Sequence, residues 1–482
     1  MRECVKFMID KNSKLQGTKS VIRAIEGFVE VSLLTVLYYF VWRKGFDPEL
    51  FPAYFGGGKY VLSGVYAILI LVAFFNFDGF KFGYLKLSDI VASHWIGMLI
   101  VNCITYLQLS LIANKLITPV PLIVLMVFQA IVALICCTLS TYIYHRLYVP
   151  KNMVMIYGMD DAVILKLKMD MRADKYNITK LIHENVGLEK IRQQIVNYDA
   201  VIISDVSADL RNDILKFCYQ NELRAYVAPK LSDIIVRGAT EINLFDTPLL
   251  LVRGRGLTPA QRAWKRVMDI VLCLIAMVVA APILLLVAIA IKLEDGGPVF
   301  YKQKRATRDN KSFDILKFRS MIVNAEKDGK SMPATDGDPR ITKVGRIIRA
   351  TRIDELPQIL NILKGDMSIV GPRPERVEHV EEYSKEIPEF PYRMKVKGGL
   401  TGYAQIYGKY NTSPYDKLRL DLMYIENYSL MLDIKLILQT VRILLKKEST
   451  EGFDKLEELE KRKQELLAQY AEQAEDLVGA GK

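Results

Sequence analysis

The sequence predicts a mixed membrane protein: a four-helix transmembrane bundle, a Rossmann-like α/β domain, and a mainly helical domain that carries a re-entrant membrane hairpin helix. Three observations predict it. Apolar stretches at about 28–42, 60–77, 90–113 and 119–144 fill the first third of the chain, β-branched runs alternate with helical periodicity from 151, and a fifth apolar stretch at 270–291 is flanked by basic clusters on both sides. The length of 482 residues fits about three structural units. With 51% hydrophobic residues and a mean hydropathy of +0.15, the chain is too apolar for an ordinary soluble protein of its charge density, and disorder and fibrous repeats are excluded. Its net charge of +11, combined with long apolar runs, points to anionic lipid headgroups and not to nucleic acid.

Residues 1–150 hold the four stretches, each near the ~20 residues a helix needs to cross a bilayer. The first carries Glu26 and Glu30 at its start and no small-residue cleavage site after it, so it is an anchor and not a signal peptide. Arg2, Lys6, Lys11, Lys14, Lys19 and Arg23 precede it and place that end in the cytoplasm. Four crossings return the chain to the cytoplasm near Arg146 and Lys151.

Residues 151–256 alternate between MVMIYG, ITKLI, AVIIS and RAYVA and helical segments, the pattern of a small parallel sheet. A dinucleotide there needs glycines where the first strand turns into its helix, so that the pyrophosphate can approach the backbone. The chain offers Gly158, Met159, Asp160, Asp161 and Ala162, and two carboxylates at a helix N-terminus repel an anion. A structural or effector-sensing domain is expected. Tyr176 with Lys180, and Tyr226 with Lys230, match a YxxxK spacing by chance, the second across Pro229.

The third domain, 257–447, opens with Thr258 as N-cap and Pro259 at the first helical position. Arg253, Arg255, Arg262, Lys265 and Arg266 precede the fifth apolar stretch, and Lys302, Lys304, Arg305 and Arg308 follow it. A spanning helix would export one cluster against the positive-inside bias. Pro282 sits mid-stretch and favours a kink. These features predict a bent helix, about 267–293, that enters and leaves on the cytoplasmic face; a fifth true span is the alternative. The last residues, 448–482, form a charged tail whose 454–477 segment has leucines near heptad spacing, interrupted by Lys463 and Gln473.

The candidate chemistry concentrates between 292 and 411. The six cysteines, Cys4, Cys103, Cys136, Cys137, Cys218 and Cys273, show no CxxC or Cys/His ligand spacing and give no reason for a disulfide or a zinc site. Basic side chains recur instead, at Lys302–Arg305, Lys317 and Arg319, Lys343 and Arg346, Arg349 and Arg352, and Arg373 and Arg376. Such cations suit phosphate oxygens, and contact with anionic lipid explains some of them as well. Among them TRIDELPQIL places Asp354 beside Glu355, with Arg373 eighteen residues on, between two prolines in GPRPER. A carboxylate among arginines is ionised at neutral pH and can attack phosphorus, with Mg²⁺ offsetting the charge of a pyrophosphate.

The segments KLEDGGPVFYKQKR, FDILKFRSM, DPRITKVGRIIRATRIDELPQILNILKGDMSIVGPRPE, GGLTGYAQIYGKYN and YDKLRLDLMYIENYSLMLDIKLILQT, spread over about 262–445, resemble the bacterial sugar transferase family. These are the polyisoprenyl-phosphate hexose-1-phosphate transferases, or monotopic phosphoglycosyl transferases, and the preceding spans and Rossmann-like domain resemble the large subclass. The resemblance implies transfer of a sugar 1-phosphate from a UDP-sugar to undecaprenyl phosphate with release of UMP, the first membrane step of capsule, exopolysaccharide or O-antigen synthesis. It implies that Asp354 attacks the β-phosphorus and forms a covalent phosphosugar intermediate, and that Glu355 is a magnesium ligand. Lys317, Arg319, Arg349 and Arg373 fall on basic positions assigned to phosphate binding. The bacterial inner membrane, with the site on its cytoplasmic face, and a homo-oligomer, a dimer, are expected. Glucose or galactose is favoured over an N-acetylated sugar by resemblance only.

The chain departs from the family pattern at Ala281, where a serine often precedes the hairpin proline, and in GGLTG after Lys397, where the family's PGLTG begins with proline. Two other readings stay open at this point. A nucleotide-sugar dehydratase or epimerase also joins spans to a Rossmann domain, though the glycine fingerprint is missing. A non-catalytic scaffold or sensor of polysaccharide assembly is the other.

Overall fold

The computed structural model describes residues 2–46, 57–148, 150–159, 162–254, 256–323, 325, 338–408, 412–444, 461–462 and 464–465. The chain divides into two compact units, the first built on residues up to Ala228 and the second beginning at Pro229. The heptad-spaced segment 454–477 falls almost wholly outside the described residues.

In the first unit the four apolar stretches become α1 (Arg2–Gly45), α2 (Gly58–Asn76), α3 (Leu87–Ala113) and α4 (Val120–Leu147). Each contains a segment long and apolar enough to cross a membrane, which in α1 is Val21–Gly45. Helix α1 packs against α2 and α4, and α3 packs against the same two. Polar side chains inside this packing satisfy one another: Tyr66 donates to Asn102 (2.8 Å), Asn102 to Gln129 (3.0 Å) and Gln129 back to the Tyr66 hydroxyl (2.7 Å). With no water at membrane depth, such closed rings are what buried amides require. Phe28, Phe40, Ile68, Phe75, Leu111 and Ile123 point outward and exposed, as lipid-facing side chains do.

The α/β part follows as β1 (Lys151–Tyr157), α5 (Ala162–Asp170), β2 (Tyr176–His183), α6 (Leu188–Ile195), β3 (Ala200–Ser204), α7 (Ala208–Gln220) and β4 (Arg224–Val227). The sheet is parallel, in the order β2-β1-β3-β4. β3 is buried along its whole length, which explains the unbroken apolar AVIIS. Between the carboxyl ends of β1 and β3, where this topology binds ligands, Glu184 accepts from the Ser207 N–H at 2.8 Å at the start of α7. A Cβ on Gly158 would meet the Glu184 carboxylate. The chain thus seats its own carboxylate where a dinucleotide fold seats a pyrophosphate. Asp160 and Asp161 lie outside the described residues.

Residues 229–256 belong to the second unit. Helix α8 (Leu231–Arg237) buries Ile234 in the same core as Leu257, Leu418, Leu422 and Ile425, because its apolar side matches that core. β5 (Thr240–Leu244) and β6 (Thr247–Leu251) form an exposed antiparallel hairpin.

Next comes α9 (Pro259–Asp295), opened by a capping box in which Thr258 and Gln261 satisfy each other's N–H groups. Its buried stripe, Lys265, Asp269, Cys273, Ala280 and Ile291, follows one face at successive spacings of 4, 4, 7 and 11 residues. Near the start of α9, Lys265 pairs with buried Asp433 at 2.6 Å, Arg266 donates to the Ile362 and Leu363 carbonyls, and Asp269 accepts from Ser368 and the Ile369 N–H. At its end Glu294 accepts from the Lys343 and Val344 N–H groups, and Asp295 pairs with Arg319. One helix that is apolar and long enough to span is therefore held on the same unit at both ends. Its other face exposes Val271, Leu274, Ile275, Val278, Leu285 and Leu286. Pro282 lies inside this helix, which continues from Pro259 to Asp295.

The rest of the unit comprises the hairpin β7 (Phe300–Ala306) and β8 (Ser312–Phe318), α10 (Lys343–Ala350), α11 (Gln358–Lys364), the parallel pair β9 (Ser368–Val370) and β10 (Gly399–Thr401), α12 (Val377–Glu386), α13 (Tyr403–Tyr407), α14 (Pro414–Glu426) and α15 (Leu430–Leu444).

Candidate active site

The Asp354–Glu355 dyad sits in a single 3-10 turn, Ile353–Glu355, between α10 and α11. Arg352 enters that turn with φ 57°, a left-handed conformation that costs a non-glycine residue roughly 1 kcal/mol and reverses the chain. Both flanks are anchored. Glu294 caps the amino end of α10, and Arg266 caps the carboxyl end of α11. Asn361, one turn into α11, accepts from the Leu316 N–H and donates to the Asp314 carbonyl, both at 2.9 Å. That clamp sets β8 beside the dyad.

Lys317 on β8 donates to Glu355 Oε1 at 2.7 Å, and Arg373 donates to the same oxygen at 2.9 Å. Arg373 arrives on the loop after β9, fixed by Pro372 and Pro374. Arg393 holds that loop from behind: it donates to the Arg373 carbonyl at 2.9 Å and pairs with Asp421 at 2.7 Å, both side chains being buried. Arg305 adds a bond to the Pro374 carbonyl at 3.1 Å.

The two carboxylates of the dyad have opposite electrostatics. Burial alone would raise Glu355, but Arg373 and Lys317 outweigh it and hold its carboxyl far below the usual range. Burial dominates at Asp354 and raises it, with Lys317, Arg349 and Arg352 opposing and Glu355 adding to the rise. Lys317 is pulled down by burial against the attraction of Glu355. Asp354 accepts no hydrogen bond from any described residue. It is a half-buried, comparatively basic carboxylate whose lone pairs no described residue engages, which is what a nucleophile needs.

The sequence-derived residues are distributed unevenly. Asp354, Glu355, Lys317 and Arg373 come together, and Arg349, half-buried on α10, is near enough to lower Asp354. Arg319 does not join them: its buried guanidinium faces Asp295 and ties β8 to the end of α9. Arg393 lies outside the distinctive segments, and Asp421, although inside YDKLRLDLMYIENYSLMLDIKLILQT, meets it only through the packing of α14, so sequence alone does not pair them.

A Mg²⁺ ion takes oxygen ligands, commonly one or two carboxylates plus phosphate and water. Glu355 suits that donor set on one side only, since both cations bind Oε1 and no described residue is bonded to Oε2.

Residues 260–447 match the family model described as bacterial sugar transferase. The chain is 36% identical over 327 residues, 65% of its own length and 72% of the relative's, to a UDP-N-acetylgalactosamine-undecaprenyl-phosphate N-acetylgalactosaminephosphotransferase of Aeromonas hydrophila. The chain belongs to the bacterial sugar transferase family. Another member, a UDP-glucose:undecaprenyl-phosphate glucose-1-phosphate transferase of Caulobacter vibrioides, is 44% identical over 208 residues, 42% of this chain and 77% of that protein. A transferase of the same description from Escherichia coli is 42% identical over 211 residues, 43% of this chain and 44% of that one. The dyad, Lys317, Arg349 and Arg373 all lie within the segment that carries the bacterial sugar transferase match.

Proposed function

We propose that this bacterial sugar transferase moves a sugar 1-phosphate from a UDP-sugar to undecaprenyl phosphate and releases UMP. The observation that carries the reading is the pairing of an unbonded, raised Asp354 with a Glu355 that holds Lys317 and Arg373 beside it. The relatives named above, described as acting on UDP-sugars and undecaprenyl phosphate, support the substrate classes.

In this mechanism a carboxylate oxygen of Asp354 attacks the β-phosphorus of the UDP-sugar. The bond from that phosphorus to the bridging oxygen breaks, UMP leaves with the electron pair, and the sugar phosphate remains on Asp354. An oxygen of undecaprenyl phosphate then attacks the same phosphorus and returns Asp354 as carboxylate. Lys317, Arg349 and Arg373 offset charge that builds on the phosphoryl oxygens, where fixed cations are worth most. Glu355 keeps Lys317 and Arg373 aimed. Glu355 would hold Mg²⁺ through Oε2, and the ion would supply further charge compensation to the diphosphate.

The membrane arrangement belongs to the same proposal. Residues 1–150 form a four-span bundle in the bacterial inner membrane, and α9 is a re-entrant helix whose exposed apolar face enters lipid while both ends stay cytoplasmic. The attachment of Lys265, Arg266, Asp269, Glu294 and Asp295 to one unit supports this, because a bilayer cannot lie between two ends held on the same soluble surface. Within a pathway the reaction opens capsule, exopolysaccharide or O-antigen assembly, and the protein acts as a homo-oligomer. A screen of UDP-glucose, UDP-galactose and N-acetylated UDP-sugars with undecaprenyl phosphate and Mg²⁺ tests the function: UMP release with at least one donor is expected, and release with none overturns it.

A further inference from the structure

Three side chains from three different helices meet inside the first unit: Glu30 of α1, His94 of α3 and Cys137 of α4. All three are buried, and one ligand atom from each lies within 4.8 Å of the others. An ionisable group at membrane depth is expensive and needs a partner. His94 Nδ1 lies 2.8 Å from the Ile90 carbonyl. A carbonyl only accepts, so the ring proton sits on Nδ1, which Cys137 Sγ also approaches to 3.6 Å, and the Nε2 lone pair is left facing Glu30; sharing an ion with Nε2 requires the thiol to rotate away from Nδ1. Nε2 and Glu30 Oε2 are 3.3 Å apart without a hydrogen bond, and Glu30 Oε1 has no partner either. Direct hydrogen bonding favours a shorter approach. A separation of about 3.3 Å is what two ligands at ~2.0 Å on a tetrahedral ion require.

The surroundings of the three ligands agree. A metal-binding histidine usually donates its other N–H to a carbonyl or carboxylate, as His94 does to Ile90. Phe74, Phe80 and Phe82 pack around the ring at centroid distances of 4.2, 6.5 and 6.4 Å and give it apolar surroundings. A divalent ion there cancels one carboxylate and one thiolate, leaving no net charge in an apolar setting. Each of the three residues lies roughly 10–15 Å along its helix from the start of the apolar part of α1, the start of α3 or the end of α4, by the rise per residue. Those termini belong to one end of the helix set, the end that the charge pattern assigns to the cytoplasm.

We propose that Glu30, His94 and Cys137 form a Zn²⁺ site that ties α1, α3 and α4 together, apart from the transferase chemistry. One thiolate, one imidazole and one carboxylate are a zinc-type donor set, too soft for Mg²⁺. Sequence spacing does not reveal it, since each ligand comes from a separate helix.

The test uses full-length protein with a tag free of histidine, purified in detergent, exposed to Zn²⁺ and desalted into Mg²⁺ buffer. Elemental analysis should find about one zinc per chain, and His94→Ala and Cys137→Ser should each lower it at least tenfold. Co²⁺-loaded wild type should show thiolate-to-cobalt absorbance that Cys137→Ser loses, while both variants still release UMP. Zinc at background in wild type, or undiminished in either folded variant, overturns the site. Should His94→Ala fail to fold, the zinc contents of Cys137→Ser and Glu30→Gln decide the matter by the same criterion.

Discussion

Arg373 Nη2 lies 2.9 Å from Glu355 Oε1, the same oxygen that Lys317 reaches at 2.7 Å, whereas neighbouring Asp354 is bonded to no described residue. Two adjacent carboxylates have thus been given different tasks by what surrounds them. One is consumed in holding cations in place, and the other is left available to react.

Glu355→Gln should therefore lower turnover by about 10²–10³, the scale of losing preorganised charge at a transition state. The glutamine keeps the shape but removes the charge that fixes Lys317 and Arg373. Steady-state UMP release checks this, and a change below tenfold would show that the cations are held by other means.

The raised pKa of Asp354 predicts an acid limb in kcat/KM. Only the ionised carboxylate attacks, so activity falls as pH drops through that raised value, above the ordinary aspartate value. Glu355 contributes to the rise, so Glu355→Gln should move the limb to lower pH. A pH–rate profile of both proteins decides it; a limb at the same pH in both would contradict the coupling.

Topology is tested by cysteine labelling. Lys265 is buried against Asp433, so Arg262, which is exposed before it, is the better position, with Lys304 on the far side of α9. Single cysteines at both sites in a cysteine-free background should be labelled only from the cytoplasmic side. Labelling from opposite sides means that α9 spans.

Truncation separates the two units. A fragment from Pro229 to Lys482, in nanodiscs, should fold and release UMP, because every residue assigned to the chemistry lies within it. Starting at Leu257 removes Ile234 from its core, at a cost of about 2–3 kcal/mol for one buried isoleucine. Thermal unfolding should show the shorter fragment to be the less stable one. Equal stability would mean that α8 contributes nothing to that core.

The apolar helices were legible in the sequence because membrane depth demands long unbroken stretches; three of the first four appear as helices near the expected bounds, while the first begins at Arg2, well before its apolar run at about 28–42. The parallel strands were equally visible in AVIIS and its neighbours. Thr258 and Pro259 announced the start of α9 by cap chemistry. The limit lay in contacts that depend on tertiary packing. Arg319 carries the same charge as Lys317 and stands two residues away at the end of β8, yet its side chain turns to Asp295 and not to the dyad. Leu231 and Ile234 look like the close of an α/β domain, but their fit to α14 assigns them to the other unit. Glu30, His94 and Cys137 are far apart in the chain and have no shared pattern to find.

Whether Asp354 reacts covalently can be read by rapid-quench labelling. Wild-type protein mixed with UDP-sugar labelled in the β-phosphate, without undecaprenyl phosphate, should carry up to one label per chain as UMP is released. Peptide mapping should place that label on Asp354, addition of undecaprenyl phosphate should discharge it to lipid, and folded Asp354→Asn should neither acquire label nor turn over. Lipid-linked product formed by wild type with no protein-bound label at any time, or substantial turnover by Asp354→Asn free of deamidation, would contradict covalent chemistry at this residue.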